Sequence, residues 1–251
     1  MIKLIKYEFL GRFKYILGFC AALITFNAFL LMMINSWQSE IILVLSLLAG
    51  FSMFIIALAS GIHLYKKDLY GDTGYLIFTI PQSGYSIIAS KLIMSLIEFI
   101  IYLLLSSMLS FVILLSLPQE ELLQILIRKM PLGSVGFFIL PAIGYLIALI
   151  IGYFSLSISK AVFSTKKLNR ALPFAVFIIS LVLIRIVAYY IGILFPQTVI
   201  FNIMTIKGRL ENISLTVPKI TLNIISVIYY LIVYVGMFIG ASYVLEKKVD
   251  L

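Results

Sequence analysis

Few side chains in this sequence could do covalent or metal chemistry. The 251 residues contain one histidine, His63, and one cysteine, Cys20. A catalytic nucleophile needs a base beside it, and a metal site needs several His, Cys or carboxylate ligands. His63 lies beside Lys66 and Lys67, without an H-E-x-x-H or G-x-S-x-G motif. We therefore interpret His63 as a polar residue at a helix end and predict no catalytic, metal or cofactor-binding residue and no enzyme activity.

Nucleotide chemistry is not expected on this chain either. The sequence has no G-x-x-x-x-G-K-[ST] phosphate loop and no G-x-G-x-x-G fingerprint. A soluble domain needs roughly 50 residues or more, and the longest stretch between apolar runs is the 25 residues 196–220. If a nucleotide drives the protein's work, another polypeptide must bind it.

The elements that would position any site are long apolar helices. Hydrophobic residues make up 63% of the sequence, and the mean hydropathy is +1.18. About 20 apolar residues in a helix cross a hydrocarbon core about 30 Å thick with every backbone polar group satisfied. The sequence therefore predicts an all-α membrane protein that forms a single transmembrane domain over residues 1–251. Its six predicted spans are 15–36, 41–65, 90–117, 134–159, 171–195 and 221–245.

The distribution of basic residues predicts the orientation. Of 19 Lys and Arg residues, 13 fall at span ends that share one side, five fall on the other side, and Arg185 lies within a span. The positive-inside rule then places both termini in the cytoplasm. Because the basic residues sort by loop and do not gather on a folded surface, the net charge of +9 does not indicate nucleic-acid binding.

The first 14 residues carry an amphipathic pattern. Ile2, Ile5, Phe9 and Phe13 form one helical stripe, and the lysines lie away from it. This predicts an interfacial helix in the inner headgroup layer. The alternative is a simple cluster of flanking charges. We assign no function to the outer loops 118–133 and 196–220, although 118–131 has the pattern of a short interfacial helix.

Two charged residues fall inside predicted spans. Glu98 lies about 10 Å from the inner face and Arg185 about 22 Å from it, at 1.5 Å per residue. Intramembrane charges usually face the bundle interior or a wet cavity. A direct ion pair needs strong tilt to close the axial offset. We favour the interpretation that each side chain snorkels separately, Glu98 to the inner interface and Arg185 to the outer one.

A polar segment, Leu64 to Leu92, separates the second and third spans. It carries Lys66, Lys67, Asp68 and Asp72 together with glycines and a proline, and it is too polar for lipid and too short to fold alone. Either a partner holds this cytoplasmic loop or it is a solvated hairpin. Helices joined to a partner-bound loop could transmit the partner's movement.

A basic lead-in and two spans are followed by the loop KKDLYGDTGYLIFTIPQSGYSIIASKL and a long third span. This pattern resembles the permease subunits of type-2 ABC exporters. The resemblance implies a half-transporter that pairs with a second permease, identical or homologous, and with two copies of a cytoplasmic ABC ATPase that bind ATP and Mg²⁺. It also implies that this loop docks into the ATPase. The coupling residues would be Asp68, Leu69, Tyr70, Gly71, Asp72, Thr73, Gly74 and Tyr75.

The expected cargo is amphipathic, such as an antimicrobial peptide or a lipid, because the spans offer an aromatic-rich interior with little fixed charge. Such a subunit would contact membrane lipid as a multi-pass protein of a bacterial plasma membrane and would contribute to antimicrobial peptide resistance. The rival hypothesis is a non-transporting anchor or regulatory subunit that recruits a cytoplasmic partner.

Overall fold

The computed structural model describes residues 2–71, 83–116, 133–162, 171–201 and 220–247. Within these ranges it contains six long helices, all long and apolar enough to cross a membrane. The predicted all-α membrane fold with six transmembrane helices is therefore confirmed, while the side on which the termini lie stays a prediction. The helices are α1 Ile2–Met32, α2 Ser39–Tyr70, α3 Gly84–Ser116, α4 Gly133–Val162, α5 Leu172–Leu194 and α6 Ile224–Lys247.

The amino-terminal segment is part of the first long helix. α1 runs without a break over 31 residues, about 46 Å at 1.5 Å per residue, so the amphipathic segment is helical from Ile2 and continuous with the first span. No proline interrupts the sequence between the basic segment and the apolar run. The position of this segment in the headgroup layer stays a prediction, and its polar residues Glu8 and Arg12 find partners on neighbouring helices.

The second and third helices extend into the polar segment from both sides. The predicted spans ended at Tyr65 and began at Ser90, whereas α2 continues to Tyr70 and α3 begins at Gly84. Lysine is a good helix former, and α2 ends at Gly71, whose backbone is extended at φ −98° and ψ 159°. The Gly71 N–H still donates to the Lys67 carbonyl at 2.8 Å. Residues 72–82 lie outside the described residues.

A short antiparallel hairpin precedes the last helix. Strand β1, Thr198–Phe201, pairs with β2, Ile220–Asn223, so that Val199 faces Leu222. We had interpreted 196–220 as an outer loop and 221–245 as the sixth span, so neither strand was predicted. Asn223 then caps α6, because its Oδ1 accepts the Ser226 N–H at 3.0 Å. The predicted interfacial helix at 118–131 lies outside the described residues.

Residue contacts divide the chain into two units. The first contains α1, α2, α3 and Ala142–Leu146 of α4. Leu30, Ile42 and Ile113 are fully buried and form the hydrophobic core near one end of its helices. Beside them, the Ser46 hydroxyl donates to Asn27 Oδ1 at 2.9 Å and lies 2.9 Å from the Ser110 hydroxyl, so hydrogen bonds also join all three helices.

The second unit contains the rest of α4, the hairpin, α5 and α6. Helices α5 and α6 pack against each other. A Cβ added at Gly240 of α6 would lie 3.2 Å from the Phe154 ring of α4, so the small residue permits a close approach there. The single-domain interpretation of residues 1–251 stays a prediction.

Candidate functional site

Five charged residues of the first unit meet in one largely buried network. Lys91 of α3 is 1% exposed, and its ammonium group forms ion pairs with Glu8 of α1 and Asp68 of α2. Lys91 lies near the carboxyl end of the polar segment Leu64 to Leu92, and Asp68 lies near its amino end, within the last turn of α2. The two ends of the polar segment are therefore joined to each other and to α1 by one cation.

A third ion pair lies further along the same helices. Arg12 Nη1 donates to Glu98 Oε2 at 3.0 Å. Ser60 of α2 donates its hydroxyl to Glu98 Oε1 at 2.6 Å and accepts a hydrogen bond from Arg12 Nη2 at 2.5 Å. Tyr102 donates to the same carboxylate oxygen at 3.3 Å. Glu98 thus has partners on α1, on α2 and on its own helix.

The spacing of these residues explains how three helices can build the network. Glu8 and Arg12 are four residues apart on α1, Lys91 and Glu98 are seven apart on α3, and Ser60 and Asp68 are eight apart on α2. Each spacing returns a side chain to the same helix face. The faces meet between the three helices, and the Arg12–Glu98 pair follows the two ion pairs of Lys91 along them.

Three carboxylates and two basic groups make up this ion-pair network: Glu8, Asp68 and Glu98 with Arg12 and Lys91. Burial of a charge is costly unless it is paired and hydrogen-bonded, and removal of one partner of a buried pair costs about 3–5 kcal/mol. The network therefore holds α1, α2 and α3 in one arrangement. Any movement at the end of α2 must move its partners or break an ion pair.

An aromatic cluster packs next to the network. The Tyr145 hydroxyl of α4 lies 3.1 Å from the backbone carbonyl of Ala57 on α2 and 3.1 Å from that of Ser95 on α3, so one donor is shared between two acceptors. Its ring stacks on Phe99 with 4.4 Å between centroids, and Phe99 directly follows Glu98. Phe54 packs edge-on to both rings. This cluster closes the apolar side of the Glu98 site.

The predicted coupling residues fall partly within the described chain. Asp68 is ion-paired to Lys91, and Leu69 is 2% exposed, so neither presents its side chain as a free surface. Tyr70 is half-buried, and Gly71 is exposed at the end of α2. Asp72, Thr73, Gly74 and Tyr75 lie outside the described residues. The docking of this segment to an ATPase stays a prediction.

The two intramembrane charges have different environments. Glu98 is 2% exposed and is held by Arg12, so the structure does not support our interpretation that Glu98 snorkels alone to the interface. Arg185 belongs to the second unit and is exposed on α5. The i, i+4 pair Glu8 and Arg12 was the sequence signal for the true partner of Glu98. It was missed because both residues were assigned to the interfacial helix.

The described residues contain no group of three His, Cys, Asp or Glu side chains arranged to hold a metal ion. His63 is exposed on α2, and Cys20 is half-buried on α1. The ion-pair network joins the three helices of the first unit.

Comparison with protein-family models, with curated proteins and with solved structures found no match to this chain. Its function must therefore be argued from the fold and the ion-pair network.

Proposed function

We propose that this chain is the membrane-spanning permease subunit of an ATP-driven ABC exporter, in which a separate ATPase drives export of an amphipathic substrate. One observation carries the proposal. Lys91 connects Asp68, at the root of the predicted docking loop, to Glu8 on the first helix. A loop that binds a moving partner needs such a rigid connection to the spans if the movement is to reach them.

The energetics of the network favour rigid-body transmission. The Lys91 side chain is 2% exposed, and those of its partners Glu8 and Asp68 are 13% and 12% exposed. Separation of these groups would leave buried charges without partners. A displacement of the α2 end by an ATPase would therefore move α1 and α3 with it. This response distinguishes a coupling element from a solvated hairpin, which would absorb the movement locally.

The exposed residues near the loop define what a partner can touch. Lys66 and Lys67 are exposed on the last turn of α2, whereas Asp68 and Leu69 face inward. In the described part of the loop the partner would therefore meet the two lysines and Tyr70. A complementary groove on the ATPase would carry acidic groups opposite these lysines.

The test compares loop variants in the complex purified from native membranes. Tyr70→Ala and Asp72→Lys are expected to reduce the amount of copurifying ATPase, or to leave ATPase bound with hydrolysis uncoupled from cargo, while membrane insertion is normal. Tyr15→Ala is the matched control, because Tyr15 is 71% exposed on α1 outside the loop. Leu69→Ala is a poor probe, since Leu69 is buried and its truncation would also destabilise the helix bundle.

Retention of full ATPase binding and normal cargo-stimulated hydrolysis by both loop variants would contradict the proposal. The rival hypothesis, a non-transporting anchor, predicts a different pattern. An anchor would lose its partner in the loop variants, but the hydrolysis rate of the partner would be the same with and without the chain. The hydrolysis measurement therefore separates a transporter from an anchor.

A further inference from the structure

Arg185 is an exposed charge near the centre of an apolar helix. It is the fourteenth of the 23 residues of α5, nine residues or about 14 Å from Leu194. A helix of this length, about 34 Å, only slightly exceeds the 30 Å hydrocarbon core, so the Arg185 backbone lies close to the bilayer midplane. Exposed neighbours on both sides, Leu181 and Tyr189, show that this face of α5 is open.

The described residues supply no counter-charge for this guanidinium. The ion pairs formed between described residues join α1, α2 and α3 of the first unit, and Arg185 takes part in none of them. The Tyr234 side chain of α6 lies close enough to Arg185 for an electrostatic interaction, but a phenol is not an anion at neutral pH. A charge at this depth needs an anionic group or water drawn towards it.

Two tyrosines make the surroundings of Arg185 suitable for an anionic oxygen group. Tyr189 follows Arg185 by one helical turn on the same face and is 68% exposed. Tyr234 approaches from α6, where its ring stacks on Tyr230 with 6.0 Å between centroids. A guanidinium binds a phosphate through two parallel hydrogen bonds, and phenol hydroxyls can donate to its remaining oxygens.

We propose that Arg185, Tyr189 and Tyr234 form a lipid-facing site for the headgroup phosphate of an anionic phospholipid of the surrounding bilayer. The site lies on α5 and α6, apart from the docking loop, so the proposal does not depend on the transporter assignment. The bound headgroup is drawn below the plane of its neighbours, while the long Arg185 side chain extends towards it.

A second copy of this chain is a poorer occupant of the site. Among the acidic residues of the described helices, Glu98 is the one that lies deep within a helix, and Arg12 already binds it. The others, Glu8, Glu40, Asp68 and Glu246, lie within seven residues of a helix end. The described helices of a second copy would therefore bring no free carboxylate to Arg185 at its depth, whereas an anionic lipid brings the missing charge.

The test measures lipid selectivity beside Arg185 by fluorescence quenching. The single tryptophan, Trp37, is removed by Trp37→Phe. A new tryptophan is then introduced by Leu181→Trp, one helical turn from Arg185, as the fluorescent probe. The full-length protein is reconstituted in phosphatidylcholine with brominated phosphatidylglycerol or brominated phosphatidylcholine. We expect the anionic lipid to bind about fivefold more strongly, the ratio for one basic residue near an anionic headgroup. Arg185→Gln should abolish the preference, and Tyr189→Phe should reduce it.

Two further variants make the result specific. Arg185→Lys keeps the charge but loses the paired hydrogen bonds, so it should give an intermediate preference. Lys14→Gln changes an exposed cation on α1 and should leave quenching at position 181 unchanged. Equal binding of the two lipids in the Arg185 protein, or an unchanged preference in Arg185→Gln, overturns the proposal. The proposal is also overturned if Arg185→Gln dissociates dimers of the chain without changing its lipid selectivity, because the site would then bind a second copy.

Discussion

The pair of Arg12 and Glu98 gives the sharpest test of the buried network. Replacement of Arg12 by Met leaves Glu98 with hydrogen bonds from Ser60 and Tyr102 but without a cation. Breaking a buried pair costs about 3–5 kcal/mol. Since the Arg12 side chain is 18% exposed and that of Glu98 only 3%, solvent partly screens the pair, and we expect about 3 kcal/mol for Arg12→Met.

The double variant separates the interaction energy between Arg12 and Glu98 from the effects of each single substitution. Arg12→Met with Glu98→Gln removes both charges, and the amide can still bond to Ser60, so the combined loss should be smaller than the sum of the single losses. We expect a coupling energy of about 1.5–3 kcal/mol, in the range found for residues in direct contact. Lys14→Met, which removes an exposed cation from the same helix, is the control and should change stability by no more than about 0.5 kcal/mol.

The measurement is unfolding in mixed micelles with increasing denaturing detergent, followed by the fluorescence of Trp37. This tryptophan joins α1 to α2 and packs edge-on to Phe29 with 6.2 Å between ring centroids, so it reports on the first unit. A two-unit chain need not unfold in one step, and a probe within one unit avoids that difficulty. Additive losses in the double variant, or a loss no larger than that of Lys14→Met, would refute the assignment of a tightly coupled pair.

The remaining predictions concern orientation and packing. In a background without Cys20, cysteines placed at positions 67 and 166 should react only with membrane-permeant thiol reagents, and a cysteine at 121 should react with impermeant ones. Labelling of position 67 from outside would reverse the predicted orientation. Gly50→Ala should be about 1–3 kcal/mol less stable than Gly18→Ala in the same unfolding assay. The added Cβ at position 50 would clash with the Ser106 hydroxyl, whereas Gly18 has open space around it. The reasoning would be contradicted if Ser106→Ala failed to relieve the loss. Tyr145→Phe should cost about 0.5–1.5 kcal/mol through its lost hydroxyl bonds, and an unchanged unfolding midpoint would argue against them.

The number and type of the long elements could be predicted from sequence because hydropathy determines them directly. In lipid a segment of about 20 apolar residues must be helical, and all six predicted spans correspond to helices. The ends were less predictable. Charged residues such as Lys66 and Asp68 were taken as loop residues, although their side chains are compatible with a helix and Asp68 has a buried partner on α3.

The ion-pair network could be predicted only in part. Helical spacing places Glu8 and Arg12 on one face of α1, but it does not say which face meets α3. That depends on the rotation of three helices relative to one another, which the packing of the bundle sets. The same limit applies to Arg185, whose depth follows from the sequence but whose exposure beside Tyr189 does not. The strands β1 and β2 were missed because four-residue strands give a weak pattern signal.

The central claim is that this chain transmits the movement of an ABC ATPase across the membrane. Its most direct test is native mass spectrometry of the complex purified from native membranes in mild detergent, combined with ATP hydrolysis by the same sample. We predict two permease chains with two copies of an ATPase that carries a G-x-x-x-x-G-K-[ST] phosphate loop. Tyr70→Ala should reduce hydrolysis or uncouple it from cargo. Recovery of the chain alone, or with a partner that neither binds nor hydrolyses ATP, would contradict the claim.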